Sequence, residues 1–192
     1  MQEEHKLIED IKRGDPKAME SLFLIYKNKV FNTSLSYLQN IQDAEELTQD
    51  VFIEVFSSAG KFKGESALST WIYRITVNKS LDKLKFQNRK KRFAVITSIF
   101  SRDSAELAID TPDFIHPGIE IELKERSQFL FKALNALPEN QKTAFILSKL
   151  ELLNQKEISE IMKTTVSSVE SLIFRAKQNL KNILSKKYDE LN

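Results

Sequence analysis

The chain has 192 residues, of which 41% are hydrophobic and 29% charged, with a net charge of +2. This apolar content is sufficient for a folded core, and the lack of Cys excludes disulfides, thiolate metal sites and a cysteine nucleophile. Only four Gly and four Pro are present, so turns are scarce; we expect long helices rather than a β sandwich.

The two histidines, His5 and His116, are far apart in the sequence, which does not favour a histidine metal site. No apolar run approaches the ~20 residues that span a bilayer. The N-terminal residues are acidic and lack the apolar core of a signal peptide. We therefore expect a cytoplasmic protein with no membrane insertion, no metal and no cofactor.

Charge is segregated along the chain. Residues 61–92 carry ten Lys or Arg against two Asp or Glu, a net charge of +8, whereas residues 1–60 carry six against eleven, a net charge of −5. Residues 124–192 are mildly basic. A strongly basic segment suits a phosphate backbone, although a solvated helix face explains such a run equally well.

Two helices are predicted near the N-terminus, and the second of them carries an acidic face. Asp15-Pro16 predicts the start of one helix. A capping-box variant with Asp43 as the cap predicts a second helix that runs to about Ala59, before Gly60. Its carboxylates recur at helical spacing and form what we call the acidic stripe: Asp43, Glu46, Asp50 and Glu54. Gln49 and Ile53 lie on the same exposed side. A solvated face is the default interpretation, and a partner protein with an Arg-rich surface is the functional one.

A basic helix is predicted from about Ser66 to Arg92, after a short loop over residues 61–66. At 100° per residue one side of this helix carries an aromatic ring, an amide and several cations. We call this set the basic stripe: Trp71, Arg74, Asn78, Asp82, Lys85, Arg89 and Arg92. Such a mixture suits an unpaired strand, because rings stack on bases and cations hold phosphates. Alternatively, Trp71 is core and the cations are solvated. Asp82 is expected to pair with Arg74, Lys85 or a backbone donor.

Residues 93–120 lose clear periodicity and are interpreted as a linker. Helices are then predicted over about 119–135 and again from Leu137-Pro138-Glu139. The C-terminal part has the pattern of a helix-turn-helix, with a short helix opened by Asn154-x-x-Glu157, a break at Lys163–Val166 and a longer helix capped by Thr165 or Ser167. An ordinary helical hairpin remains the alternative. One side of the longer helix carries groups able to bond base edges and phosphates: Ser168, Ser171, Arg175 and Gln178. Together with Ser167 in the first turn, these residues form what we call the recognition face.

Taken together, these segments resemble a sigma-70 family RNA polymerase sigma factor of the extracytoplasmic-function (ECF) group. The stretches that carry the resemblance are Asp43–Phe52, Phe62–Ser66, Thr70–Ile75, Asn78-x-x-x-Asp82-x-x-Lys85, Ala136–Gln141, Glu157–Ile161, Ser168–Ser171 and Phe174–Lys177. The resemblance covers nearly the whole chain, with the motifs in the family's order. It implies an all-α fold of two helical domains, spanning residues 1–92 and 124–192, joined by a linker over 93–123.

The resemblance also implies partners and roles. Core RNA polymerase and promoter DNA are the expected partners, and an anti-sigma factor is a further partner that the sequence leaves open. Polymerase binding is expected at Asp43, Glu46, Gln49, Asp50, Ile53 and Glu54. Promoter −10 recognition is expected at Phe62, Trp71, Arg74, Asn78, Lys85, Arg89 and Arg92, and −35 recognition at the recognition face. No residue is expected to be catalytic.

Other interpretations of the chain explain less. A stand-alone helix-turn-helix regulator leaves the acidic and basic stripes without a role, and an all-α enzyme lacks a nucleophile–base pair. The chain departs from the family where Lys163 replaces a frequent Gly in the turn, which demands either a strained backbone or a different turn. Glu170 and Leu172 replace frequent cations, which weakens the grip on phosphate.

Overall fold

A computed structural model describes the backbone of residues 2–100 and 129–190 and the side chains of residues 4–90 and 129–185. All regular structure over these ranges is helical, which confirms the all-α prediction. The helices are α1 (Gln2–Lys12), α2 (Pro16–Leu38), α3 (Ile41–Ser58), α4 (Leu68–Phe100), α5 (described over 129–135), α6 (Glu139–Lys149), α7 (Gln155–Met162) and α8 (Val166–Glu190). Among the described residues, no helix is long and apolar enough to cross a membrane.

The N-terminal helices begin at side-chain caps. Asp15 caps α2 by accepting a hydrogen bond from the backbone N–H of Lys17, as predicted. The prediction for α3 was wrong by one turn: the cap is Asn40, whose side chain accepts from the backbone N–H of Asp43. Asn40 has the extended backbone that a cap needs, so it starts the helix before Asp43 is reached. Helix α1 has no counterpart among the predicted elements.

Helices α2, α3 and α4 pack against one another and position the loop that precedes α4. A short 3-10 turn at Ala59–Lys61 ends α3. Helix α4 then continues past Arg92 to Phe100, so its C-terminal turns occupy residues that the sequence assigned to the linker. The remainder of the predicted linker and the first part of the helix predicted over 119–135 lie outside the described residues.

The C-terminal helices form the predicted helix-turn-helix. Asn154 and Glu157 make the reciprocal hydrogen bonds of a capping box at the start of α7. Three residues, Lys163–Thr165, separate α7 from α8. Ile161, Val169 and other buried side chains hold the two helices together. The local sequence signals were sufficient here because caps and periodicity depend on nearby residues alone.

The N- and C-terminal helices share a hydrophobic core, although the sequence indicated two domains joined by a linker. Buried side chains of α1–α4, such as Leu22 and Val51, belong to the same cluster as Ile146 of α6, Ile158 of α7 and Val169 of α8. A second, smaller cluster surrounds Leu134 and Leu180. The two halves of the described structure therefore pack against each other directly.

Candidate nucleic-acid interface

Cations of α4 pair with three of the four carboxylates in the acidic stripe. The ammonium of Lys83 lies 2.7 Å from Glu46 and 3.3 Å from Asp43, and that of Lys79 lies 3.9 Å from Glu54. Burial by itself lowers the pKa of Lys83, but the combined hydrogen bonds and charges of Glu46 and Asp43 outweigh it, so the pKa of Lys83 is raised. Such half-exposed pairs contribute about 0–1 kcal/mol each, so they bias the packing of α3 on α4 only modestly.

Three other residues of the predicted polymerase-binding surface on α3 are exposed to solvent and pair with no cation of α4 in the contacts given above. Gln49, Asp50 and Ile53 are exposed, and the Ile53 side chain is 66% exposed. A large aliphatic group beside a carboxylate, on a helix whose opposite face is fully buried, is a common arrangement at protein interfaces. We call Gln49, Asp50 and Ile53 the exposed docking face.

The aromatic end of the basic stripe packs against the loop before α4. The rings of Phe62 and Trp71 lie 5.1 Å apart at 47°, and both side chains are half-buried against the core. Part of the Trp71 ring therefore packs against the core, and its predicted stacking on a base stays a prediction. The same contact fixes the position of loop residue Phe62 relative to the basic stripe.

Two cations of the basic stripe bond to the C-terminal helices. Arg74 donates from Nε and Nη2 to the backbone carbonyl of Glu160, at 3.0 and 2.7 Å. The ammonium of Lys85 lies 3.3 Å from a carboxylate oxygen of Glu139. Arg74 and Lys85 are two of the partners that the sequence analysis expected for Asp82. Long-range packing thus replaced the local pairing that the sequence indicated.

The rest of the basic stripe is more accessible. Asn78 and Arg89 are exposed on α4, whereas Arg92 lies on the same helix but its side chain is outside the described residues. Asn78 and Trp71 line a cleft of about 490 Å³ together with Lys163 of the turn between α7 and α8. An exposed ring that the sequence reasoning missed, Phe86, lies under the ammonium of Lys90 at 4.6 Å.

A left-handed residue and a hydroxyl cap shape the turn of the helix-turn-helix. Lys163 adopts the left-handed backbone conformation that Gly favours at this position of the turn, with φ 52° and ψ 48°. Thr165 caps α8, because its hydroxyl oxygen accepts a hydrogen bond from the backbone N–H of Ser168 at 3.1 Å. The Thr165 hydroxyl in turn donates to the Ser168 hydroxyl, so Ser168 is part of the cap as well as the predicted recognition face.

Four residues of the recognition face are exposed and Ser168 is half-buried. Arg175 donates from Nε to the Ser171 carbonyl at 3.2 Å, which holds its guanidinium along the helix. Phe174, 63% exposed, lies beside these residues and was missed by the sequence reasoning, although its spacing of three from Ser171 was a usable signal. Polar groups beside one exposed ring fit the donors, acceptors and thymine methyl groups of a major groove.

The chain is similar to known proteins along most of its length. The family model described as "Sigma-70 region 2" matches residues 22–90, and that described as "Sigma-70, region 4" matches residues 130–180. The chain is 35% identical over 178 residues to an ECF RNA polymerase sigma-E factor of Haemophilus influenzae, covering 92% of each protein. It is 31% identical to the ECF RNA polymerase sigma-E factor of Escherichia coli K12 over 92% of this chain and 91% of the relative.

Solved structures have the same fold. CnrH, in complex with the cytosolic domain of CnrY, aligns with a TM-score of 0.67 at 18% identity, covering 94% of this chain and 96% of CnrH. The sigma factor RpoE of Bartonella quintana, in complex with the anti-sigma factor NepR, aligns with a TM-score of 0.60 at 22% identity, covering 88% and 98%. With both family models matched in order and relatives above 30% identity along most of its length, the chain belongs to the sigma-70 family of RNA polymerase sigma factors, in the ECF group.

Proposed function

We propose that this sigma factor divides promoter-specific initiation among three helices: α3 docks core RNA polymerase, α4 reads and holds the −10 element, and α8 reads the −35 element. The proposed units are residues 1–92 and 124–192, with a linker over 93–123 that begins within the last turns of α4. The chain acts as a non-catalytic cytoplasmic initiation factor without a cofactor. The observation that carries the proposal is an exposed polar face on α8, placed by a capped helix-turn-helix.

The proposed polymerase contact centres on the exposed docking face. Asp50 and Ile53 combine a charge with an exposed apolar group, and the paired acids Asp43, Glu46 and Glu54 surround them. Rim charges steer association and an apolar centre supplies affinity once it is covered. An anti-sigma factor is a second proposed partner, because two proteins of the same fold are complexed with CnrY and NepR.

Charge reversal tests the docking helix. Asp50→Lys should abolish holoenzyme assembly while the helix content stays unchanged. Glu45→Lys is the matched control, since Glu45 is exposed on the same helix but about 140° away from Asp50. Co-purification with core polymerase measures both variants. Normal assembly by Asp50→Lys would refute the docking role of this face.

The proposed −10 contact uses the loop over residues 61–67 and the basic stripe. Asn78 would bond the edge of a base flipped out of the stack, beside the ring of Phe62, at an unpairing cost of a few kcal/mol. Asn78→Ala should therefore impair open-complex formation far more than polymerase binding. A template already mismatched at the −10 element should partly rescue this variant.

A bracing role for Asn78 predicts the opposite pattern. The variant would then melt earlier and be equally defective on paired and mismatched templates. Asn32→Ala, at an exposed position of α2, controls for the loss of a surface amide. Run-off transcription of a genomic fragment library with the reconstituted holoenzyme first identifies the promoters. Paired and mismatched templates are then made from those promoters.

The proposed −35 contact uses the recognition face of α8. Arg175→Ala should cost about 1–3 kcal/mol if the guanidinium reads a base through two hydrogen bonds. Lys177→Ala removes one charge from another exposed side of α8 and should have a much smaller effect. A loss that is equal across promoter sequences would assign Arg175 to phosphate instead. Tight promoter binding without polymerase would favour a stand-alone regulator.

A further inference from the structure

One buried cation has no part in the proposed function. Lys142, near the start of α6, is only 5% exposed. Its ammonium donates to the Asn135 side-chain oxygen at 2.6 Å and to the Tyr37 carbonyl at 3.3 Å, and both acceptors are uncharged. In the described parts of the chain no carboxylate pairs with this ammonium. Because an ammonium has three N–H donors, these contacts leave one donor and the charge itself without a partner.

The Lys142 side chain lines a cleft that is bounded by the end of α2, the start of α3, α4 and α6. The cleft has a volume of about 500 Å³, which is within the range of small-molecule sites. Tyr37 and Asn135, the two residues that hold the ammonium, line the same cleft. The buried cation therefore lies beside a space that can admit a ligand, rather than within a sealed core.

The two acidic residues that line this cleft already have cationic partners. The Asp43 carboxylate lies 3.3 Å from the Lys83 ammonium, and the Glu139 carboxylate lies 3.3 Å from the Lys85 ammonium. Glu139 precedes Lys142 by three positions, so the two side chains are neighbours on α6. The Glu139 carboxylate nevertheless pairs with Lys85. Neither acid of the cleft therefore compensates the charge of Lys142.

A second lysine of the cleft also lacks an acidic partner among the described contacts. The ammonium of Lys90 lies over the ring of Phe86 at 4.6 Å, and the Lys90 side chain lines the cleft. When each acid is set against its own lysine, Lys90 and Lys142 remain as a surplus of two positive charges. A doubly negative group matches this surplus, and lysine ammoniums bind phosphate as point charges.

We propose that this cleft binds a small ligand through a doubly negative phosphate group, which accepts the third N–H of Lys142 and lies within reach of Lys90. The inference is independent of the proposed function, because Lys142 and Lys90 belong to none of its three surfaces. The bound group supplies the counter-charge that Lys142 lacks. Binding of the phosphate and protonation of the Lys142 ammonium therefore favour each other.

Calorimetry with sulfate tests the site, because sulfate has the shape and charge of a phosphate dianion but gains no proton near neutral pH. The titration is run at about pH 8 in two buffers of different ionisation enthalpy, with chloride holding the ionic strength constant. Burial lowers the pKa of Lys142 to about 8, so about half of the ammonium groups are neutral there. Binding should therefore take up about half a proton per sulfate.

Lys142→Met should lose both saturable sulfate binding and proton uptake. This variant should fold, since it removes a buried charge, and circular dichroism checks its helix content. Lys149→Met, at the exposed end of α6, is the matched control and should bind as the wild type does. The apparent affinity of the wild type should fall at least about tenfold between about pH 6.5 and 9.5. Lys142→Met also controls for titration of the other charged groups around the cleft, which it retains: Asp43, Lys83, Lys85, Lys90 and Glu139.

Two further arms define the ligand. Lys90→Met should weaken sulfate binding about two- to fivefold, as expected for an exposed charge. Adenosine 5′-phosphate is compared with inorganic phosphate: tighter binding of the nucleotide supports a phosphorylated molecule as the ligand, and equal binding supports free phosphate. Absence of saturable sulfate binding by the wild type would overturn the proposal. Equal binding and proton uptake in Lys142→Met would overturn it too, by showing an adventitious ion only.

Discussion

The buried ammonium of Lys142 makes the stability of this fold dependent on pH. Its side chain lies between α6 and the end of α2, with the ammonium 5.4 Å from the centre of the Tyr37 ring. Both hydrogen-bond acceptors of the ammonium are uncharged, the Asn135 amide and the Tyr37 carbonyl. Burial lowers the pKa of Lys142 from its ordinary 10.5 to about 8, because desolvation disfavours the charged form.

The sign and size of the effect follow from this shift. The unfolded chain binds more protons between about pH 8 and 10.5, so the free energy of unfolding rises with pH over that window. The full penalty below pH 8 is about 3 kcal/mol. Raising the pH from about 7.5 to about 9.5 should remove about 2 kcal/mol of it.

Urea unfolding of the wild type and of Lys142→Met measures the effect, because Met keeps the length of the side chain without its charge. The wild type should gain about 2 kcal/mol relative to this variant between the two pH values. Lys149→Met, at the exposed end of the same helix, should parallel the wild type. Burial raises the pKa of the Tyr37 phenol, so the phenol stays neutral throughout. A constant difference in the free energy of unfolding between wild type and Lys142→Met at both pH values would show that folding does not lower the pKa of Lys142.

Three further predictions concern the helix-turn-helix. Lys163→Gly should raise the free energy of unfolding by about 0.5–1 kcal/mol, because relief of the left-handed backbone outweighs the added flexibility of Gly; a lower melting temperature would contradict this. Asn154→Ala removes the capping box and should cost about 1 kcal/mol by urea unfolding, with Gln155→Ala as the control that keeps the cap. Thr165→Ala should cost about 1 kcal/mol and weaken −35 duplex binding, since the first turn of α8 then lacks its cap; unchanged binding would show that this cap does not position the recognition face.

The buried ammonium of Lys142 weakens the core between α6 and the end of α2. A core that includes a dehydrated ammonium is less stable than one closed by apolar groups of the same size.

The helical class, the capped helix-turn-helix and the exposed face of α8 could all be predicted from the sequence alone. The caps at Asp15 and Asn154 and the exposed face of α8 depend on residues within one or two turns, so periodicity and side-chain chemistry are sufficient to predict them. Membership of the sigma-70 family follows from the same motifs taken in order.

The contacts that the charged side chains make within the chain could not be predicted, because they depend on how the helices pack. Arg74 and the Glu160 carbonyl are separated by 86 residues, and no periodic pattern indicates which carbonyl a guanidinium will meet. Lys83 neutralises two acids of α3 for the same reason, since their meeting depends on how α3 and α4 cross. Long side chains have many partners of similar energy in water, and the packing of the helices selects one of them.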